Sequence, residues 1–329
     1  MDLGLITDTW GDVPYTYALL GSDNTTPAYD HQENIYNIIQ QLLSDGISDL
    51  NKNSPLQPGQ DDFIYNGDLL LWQRAAYVLK ARYYNHLSNI DIQGSALKAL
   101  SALDQNGFTA ISEDAQFAFG TTQTTANPWY QFVNQRGDIR MGHYLIHLMD
   151  SIQDPRLPVY AEKNGNGNYS GSPAGNPDAT ASLMGSLYAS IDSKIPLVTY
   201  TEAKFIEAEC SFRMNDFSRS ATAYNEAIKS SLSKSVVSDS SFVSLFANET
   251  AITITVEKIM TQKYIAMFTQ SEVWSDYRRT GYPLLNPAAG NFTGNVIPTR
   301  LYYPLCEKSF NTLHVPSDDF LTSHIWWDQ

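Results

Sequence analysis

Residues 199–232, TYTEAKFIEAECSFRMNDFSRSATAYNEAIKSSL, carry apolar residues at helical spacing on both sides of one break at Asn215-Asp216. A connection that short forces the second helix to fold back antiparallel on the first. Ala208, Ser220 and Ala227 are small enough for close backbone approach, while Phe217 and Tyr224 fill the space between. A chain built on such a unit stacks helix pairs rather than strands. The expected fold class is therefore mostly α.

The same positions are those where a tetratricopeptide repeat places its small and aromatic residues. The stretch around Trp72–Ala76 and the SALKAL segment near residue 97 read as a looser copy. Between the pairs lie further helical patterns. Residues 32–50 put Ile35, Ile38, Ile39, Leu42, Leu43, Ile47 and Leu50 on one side, with Asp30 and Glu33 as an expected capping box. Asp68 is an expected N-cap for the helix that follows it, and IRMGHYLIHLMDSI reads as a helix stopped at Asp154-Pro155. TITVEKIMTQKYIAMFTQSEVWSDYRRTG reads as one long helix ended by Gly281 and Pro283.

Other stretches read as irregular. Leu3 to Asp30 is punctuated by Gly4, Gly11, Pro14, Gly21 and Pro27 and is expected to be loop. Residues 105–137 lose helical periodicity, and YAEKNGNGNYSGSPAGNP forms a second polar loop. VIPTRLYYPLCEKSFN and the terminal SHIWWDQ read as loops and extended pieces. The expectation is one domain over 1–329, with 105–196 as its loop-rich, ligand-facing part and 197–281 as tetratricopeptide-like helices.

The formal charge of −14 repels a phosphate backbone and argues against nucleic acid and anionic lipid as partners. Two cysteines make no disulfide framework, and Cys210 falls among apolar helical positions as a buried thiol. No stretch approaches the roughly 18 apolar residues of a membrane span. The N-terminus lacks the basic and apolar regions of a signal peptide and is read as a start inside a longer protein.

Searches for chemistry find no phosphate loop, dinucleotide fingerprint, nucleophile elbow or HExxH zinc motif, and no cofactor is expected. His143 and His147 stand at i, i+4, a spacing that presents two nitrogens to one metal, but only Asp150 lies near as a third ligand. They are read as ordinary helix-surface histidines. The run Asn164 to Asn168 lacks the carboxylates that calcium requires and is read as a turn. Asp8/Asp12 and Asp61/Asp62 are the available carboxylate pairs for a hydrolase, the less favoured reading.

One region stands out. TTANPWYQFVNQRGD is rich in amides and aromatics, which suit sugar C–H faces and hydroxyls. Asn127, Trp129, Tyr130, Asn134 and Arg136 supply that inventory, and Tyr160 and Tyr169 border the neighbouring loop. These seven are the candidate ligand residues; catalytic and metal residues are none.

Finally, SEVWSDYRRTGYPLL, residues 271–285, concentrates Glu272, Asp276, Arg278 and Arg279 around Trp274. With Gln262-Lys263, the run Arg278 to Pro283, Ile297-Pro298, Arg300, Tyr303-Pro304, Glu307 and Asn311, it resembles the C-terminal signature of the SusD/RagB family of Bacteroidetes outer-membrane lipoproteins. DTWGDVPYTYAL, DPRLPVYAE, TYTEAKFIEAEC and the terminal IWWD are similar to that family in the same order. The resemblance implies a SusD-like, mostly helical fold and a non-catalytic protein at the cell surface. It implies capture of glycans, or of peptides or another nutrient, for a TonB-dependent SusC-like transporter. The family's lipobox and first helices are missing from the quoted sequence. Within this frame the arginine-rich stretch is expected to be a structural clasp.

Overall fold

The computed structural model describes residues 1–317 and 320–329. The helices α1 (Asp2–Trp10) and α2 (Gln32–Leu50) come first, followed by α3 (Leu69–His86) and α4 (Ile92–Asn106). After the short strand β1 (Ala115–Phe117) come α5 (Pro128–Arg136), α6 (His143–Ser151), α7 (Leu157–Tyr160) and α8 (Ser186–Ala189). The strand β2 (Ile195–Val198) leads into α9 (Tyr200–Arg213) and α10 (Phe217–Lys234). The helices α11 (Ser240–Phe246), α12 (Val256–Ala266), α13 (Glu272–Thr280) and α14 (Leu305–Phe310) complete the order. β1 and β2 pair antiparallel, Ala115 opposite Val198, and tie the loop-rich region to the scaffold.

The scaffold follows the sequence pattern. Side-chain oxygens of Asp68, Asp91, Thr199, Asp216 and Thr255 cap the N-termini of α3, α4, α9, α10 and α12, satisfying amides that have no helical partner. The α9–α10 pair turns at Asn215, whose φ of 62° is one an asparagine tolerates. Ala81, Ala96, Ala99 and Ala102 meet Ile206 and Cys210 in an alanine-rich seam, so the α3–α4 pair lies against α9. This is the close stacking that small residues permit, and the fold is mostly α with tetratricopeptide-like pairs. Cys210 is fully buried, donates its thiol to Asn85 Oδ1 at 3.1 Å and is pushed up to about 12 by burial.

Four expectations are corrected. Asp2–Trp10 is helical, not loop: Gly4 sits in the helix because a Cβ there would come within 2.2 Å of the Tyr83 hydroxyl. Asp30 does not cap α2; its carboxylate accepts the amides of Tyr15 and Thr16, and His31 takes the N-cap position. The long C-terminal helix is two, parted at Met267–Ser271, where Thr269 adopts a φ of 73°. Leu305–Phe310 forms a short helix within a stretch expected to be extended.

The break before α13 aims that helix at distant parts of the chain. Arg278 donates through Nη1 to the carbonyls of Asp8 and Thr299, both at 2.7 Å. Its guanidinium lies over the rings of Trp274 and Trp327, at 4.1 and 4.6 Å from their centroids. Arg279 holds Glu209 at 2.6 and 3.0 Å and Asp276 at 2.6 Å, and Lys263 reaches Asp276 at 2.7 Å. Arg82 clasps Glu202 through two bonds of 2.5 and 2.6 Å, and His86 sits between Glu272 and Asp8. Trp327 closes the group by donating to Asp8 at 2.9 Å. Each charge meets an opposite charge or a fixed dipole, the condition under which ionic groups are retained in an interior. The clasp reading of this stretch holds in its geometry. Arg279 takes the carboxylates, whereas Arg278 reaches carbonyls of other segments rather than those of its own helix.

Candidate functional site

The aromatic and amide-rich run is a helix rather than the irregular segment expected. Pro128 takes the first helical position, where its missing N–H costs nothing. Asn127 Oδ1 accepts the amides of Trp129 at 2.7 Å and Tyr130 at 3.1 Å. Gly137, at φ 63°, ends the helix in the left-handed conformation. Two turns are too few for a visible period, and only Trp129 and Val133 face the core.

The seven candidate residues occupy different depths. Asn127 is fully buried, and besides capping α5 its Nδ2 donates to the Ser193 carbonyl at 2.7 Å. Both ends of its amide are engaged inside the protein. Tyr160 is likewise buried, packed against Tyr188 and Phe268 in a methionine-rich core with Met141, Met149 and Met184, and it supports the surface from below. Trp129 and Tyr169 are half-buried against that same core, with the Lys163 ammonium over the Tyr169 ring. Tyr130 is half-buried, and Asn134 and Arg136 are exposed. Arg136 pairs with Asp138 at 2.8 Å and lies over Phe132. The structure thus brings Trp129, Tyr160 and Tyr169 onto one core and leaves Asn134 and Arg136 on the outward side of α5.

Sequence reasoning missed a pocket beside α5. A cavity of about 340 Å³ opens between α8, the segment leading into β2, and the ends of α9, α10 and α12. Tyr188, Phe268, Gln116, Gln270, Asp192 and Lys194 are among its lining residues. They are scattered from 116 to 270, so no local motif could have announced them. A second cavity, about 620 Å³, lies between α2, α3 and residues 54–58 and is lined mainly by Leu, Ala, Trp72 and Val198. Its apolar walls offer few partners to a polar ligand.

The other candidates have internal roles. His143 and His147 are exposed with parallel rings 5.7 Å apart, and no group of three His, Cys, Asp or Glu suited to a metal occurs among the described residues. Asn164 Oδ1 accepts the amides of Asn166 and Asn168, which makes its loop a polar turn. Asp8 is held by Tyr36 and Trp327, and Asp12 by the Gln32 amide and His31. Asp62 accepts three backbone amides and the Trp72 indole; burial raises its carboxyl, but these donors prevail and hold it below the usual range. None of these carboxylates faces a partner across a cleft as a glycosidase pair does. No helix among the described residues is long and apolar enough to cross a membrane.

Comparison with solved structures reproduces this architecture. A chitin-binding SusD homologue from Flavobacterium johnsoniae superposes with a TM-score of 0.85 at 25% identity, covering 99% of this chain and 78% of that one. A SusD homologue from Bacteroides uniformis gives 0.83 at 24% identity, over 99% and 79% of the two chains. Another, from Bacteroides ovatus, gives 0.83 at 24% identity, over 98% and 79%. No curated protein matches the sequence. The family described as "Starch-binding associating with outer membrane" matches residues 1–304, and the chain belongs to this SusD-like family.

Proposed function

We propose that this protein binds oligosaccharides at the outer-membrane surface, without chemical turnover, and delivers them to a SusC-like TonB-dependent transporter. The observation that carries the reading is the family match over residues 1–304, whose description is starch-binding at the outer membrane. The chitin-binding role of the Flavobacterium johnsoniae relative points to the same ligand class. The internal engagement of Asp8, Asp12 and Asp62 supports binding rather than hydrolysis. In this proposal residues 1–329 act as one domain, anchored through lipid in the full-length protein. Residues 105–196 face the ligand, with Trp129, Tyr130, Asn134, Arg136 and Tyr169 at the surface and Asn127 and Tyr160 behind them.

The test is isothermal titration with maltohexaose and with the hexamer of β-1,4-linked N-acetylglucosamine, each followed by an assay for new reducing ends. Binding without cleavage is expected. Wild-type protein that retains neither sugar but binds a peptide pool sinks the glycan reading. Trp129→Ala and Tyr130→Ala variants that bind as wild type does sink the α5 surface.

A further inference from the structure

We infer that the 340 Å³ pocket beside α8 seats the terminal residue of an uncharged oligosaccharide, an inference that rests on the glycan reading above. Its walls come from six stretches: β1, Tyr160 of α7, residues 186–196, the start of α9, the end of α10 and residues 266–270. A cavity enclosed by so many stretches receives a chain end, whereas an open groove lets a chain run through. Ser186, Asp192 and Lys194 are the exposed members of the lining and mark the mouth.

The floor is aromatic. Tyr188 and Phe268 meet edge to face at 5.0 Å, and Tyr160 stacks beneath Phe268 at 5.8 Å. Such rings offer an apolar face to the C–H surface of a sugar ring. Several of the polar groups around them have no internal partner. The side chains of Gln116, Gln270, Asp192 and Lys194 make no hydrogen bond or ion pair among the described residues. By contrast, Asn127 caps a helix and Arg136 holds Asp138. Two amides, each a donor and an acceptor, match the paired donor and acceptor character of sugar hydroxyls.

Charge selects the ligand class. Asp192 and Lys194 offset each other at the mouth, and Lys234 in the wall is neutralised by Asp114 at 2.9 Å. A site with no net charge gives no advantage to uronic acids, sulfated sugars or phosphates. The mouth is also held in place. Asn127 binds the Ser193 carbonyl with its side chain and the Ile191 carbonyl with its amide, so the cap of α5 braces the pocket wall. Preorganised walls lower the ordering cost of binding.

Titration of the full chain with maltose through maltohexaose, and with the N-acetylglucosamine dimer through hexamer, tests the inference. In the series that binds, affinity is expected to stop rising beyond the trisaccharide. Gln116→Ala and Gln270→Ala are each expected to weaken binding about tenfold, with unchanged melting temperatures. Lys194→Glu, at the exposed mouth, provides a variant that keeps the fold and is expected to weaken binding as well. Wild-type binding that none of the three variants changes overturns the pocket and leaves the glycan reading standing. Affinity that climbs steadily to the hexamer overturns end-on seating. Preference for polygalacturonate over both neutral series overturns the ligand class. No binding to any sugar overturns the inference together with the glycan reading.

Discussion

The clasp around α13 and the surface around α5 are built from the same kinds of residue, yet they use them in opposite ways. Arg278 reaches Asp8, 270 positions away in sequence, and Arg279 reaches Glu209, 70 away. On the outward side of α5 the charged partners are close in sequence: Arg136 holds Asp138, two positions away. The Arg279 and Glu209 side chains are 0% exposed, whereas those of Arg136 and Asp138 are 60% and 54% exposed. Long-range, desolvated pairs fix the relative positions of elements, and losing one partner strands a charge in the interior. Local, solvated pairs shape a loop and contribute little to global stability. Rigidity is thus concentrated in one part of the molecule and surface adaptability in another.

Four substitutions break or sharpen this contrast. Arg279→Ala leaves buried Glu209 with Arg213 and the Asn85 amide and is expected to cost about 3–5 kcal/mol in chemical denaturation. An effect below about 1 kcal/mol would place the clasp in the same class as the surface pairs. His86 comes next. Burial opposes its charge, but the carboxylates of Glu272 and Asp8 outweigh that and raise it from 6.5 to about 9. A raised folded value means the stabilisation is complete below about 6.5 and is lost as pH climbs through about 9. Wild-type stability should therefore fall by up to about 3 kcal/mol across that window, and His86→Gln should flatten the curve.

Arg278→Ala removes two bonds to carbonyls and the stacking on two indoles. It should lower stability by about 2–3 kcal/mol while the folded variant binds sugar as wild type does. A large loss of affinity at unchanged melting temperature would move this arginine into the ligand site. Asn127→Ala sits where the two regions meet and should have the smallest effect on stability, about 1 kcal/mol for a lost cap. It should also weaken binding, because it frees the pocket wall at Ser193. Unaltered binding in that variant would separate α5 from the pocket.

How much of this was legible in the sequence depended on the range of the interaction. The α9–α10 pair could be read because its signal is a local period broken at Asn215-Asp216, and Asp68 because a cap acts within three residues. The helix Asp2–Trp10 was hidden by Gly4, which looks like a loop residue until Tyr83 is seen against it. The break at Met267–Ser271 carries neither Gly nor Pro, so nothing local marks it. Asn127 stands out for its amide chemistry, but its bond to a backbone amide two residues away and its bond to Ser193 appear only in the folded chain. The pocket was invisible because its lining joins residues 116 to 270 only after folding.

The bond from Trp327 to Asp8 also sets an order in time. A chain made from its N-terminus can stack α3 on α4 as soon as both have emerged, and α9 on α10 soon after. Asp8, buried in the finished protein, must wait through more than three hundred further residues for the indole that covers it. The clasp is therefore the last joint to close. Until it does, Asp8 has Tyr36 and His86 beside it but lacks the indole that caps the group in the finished protein.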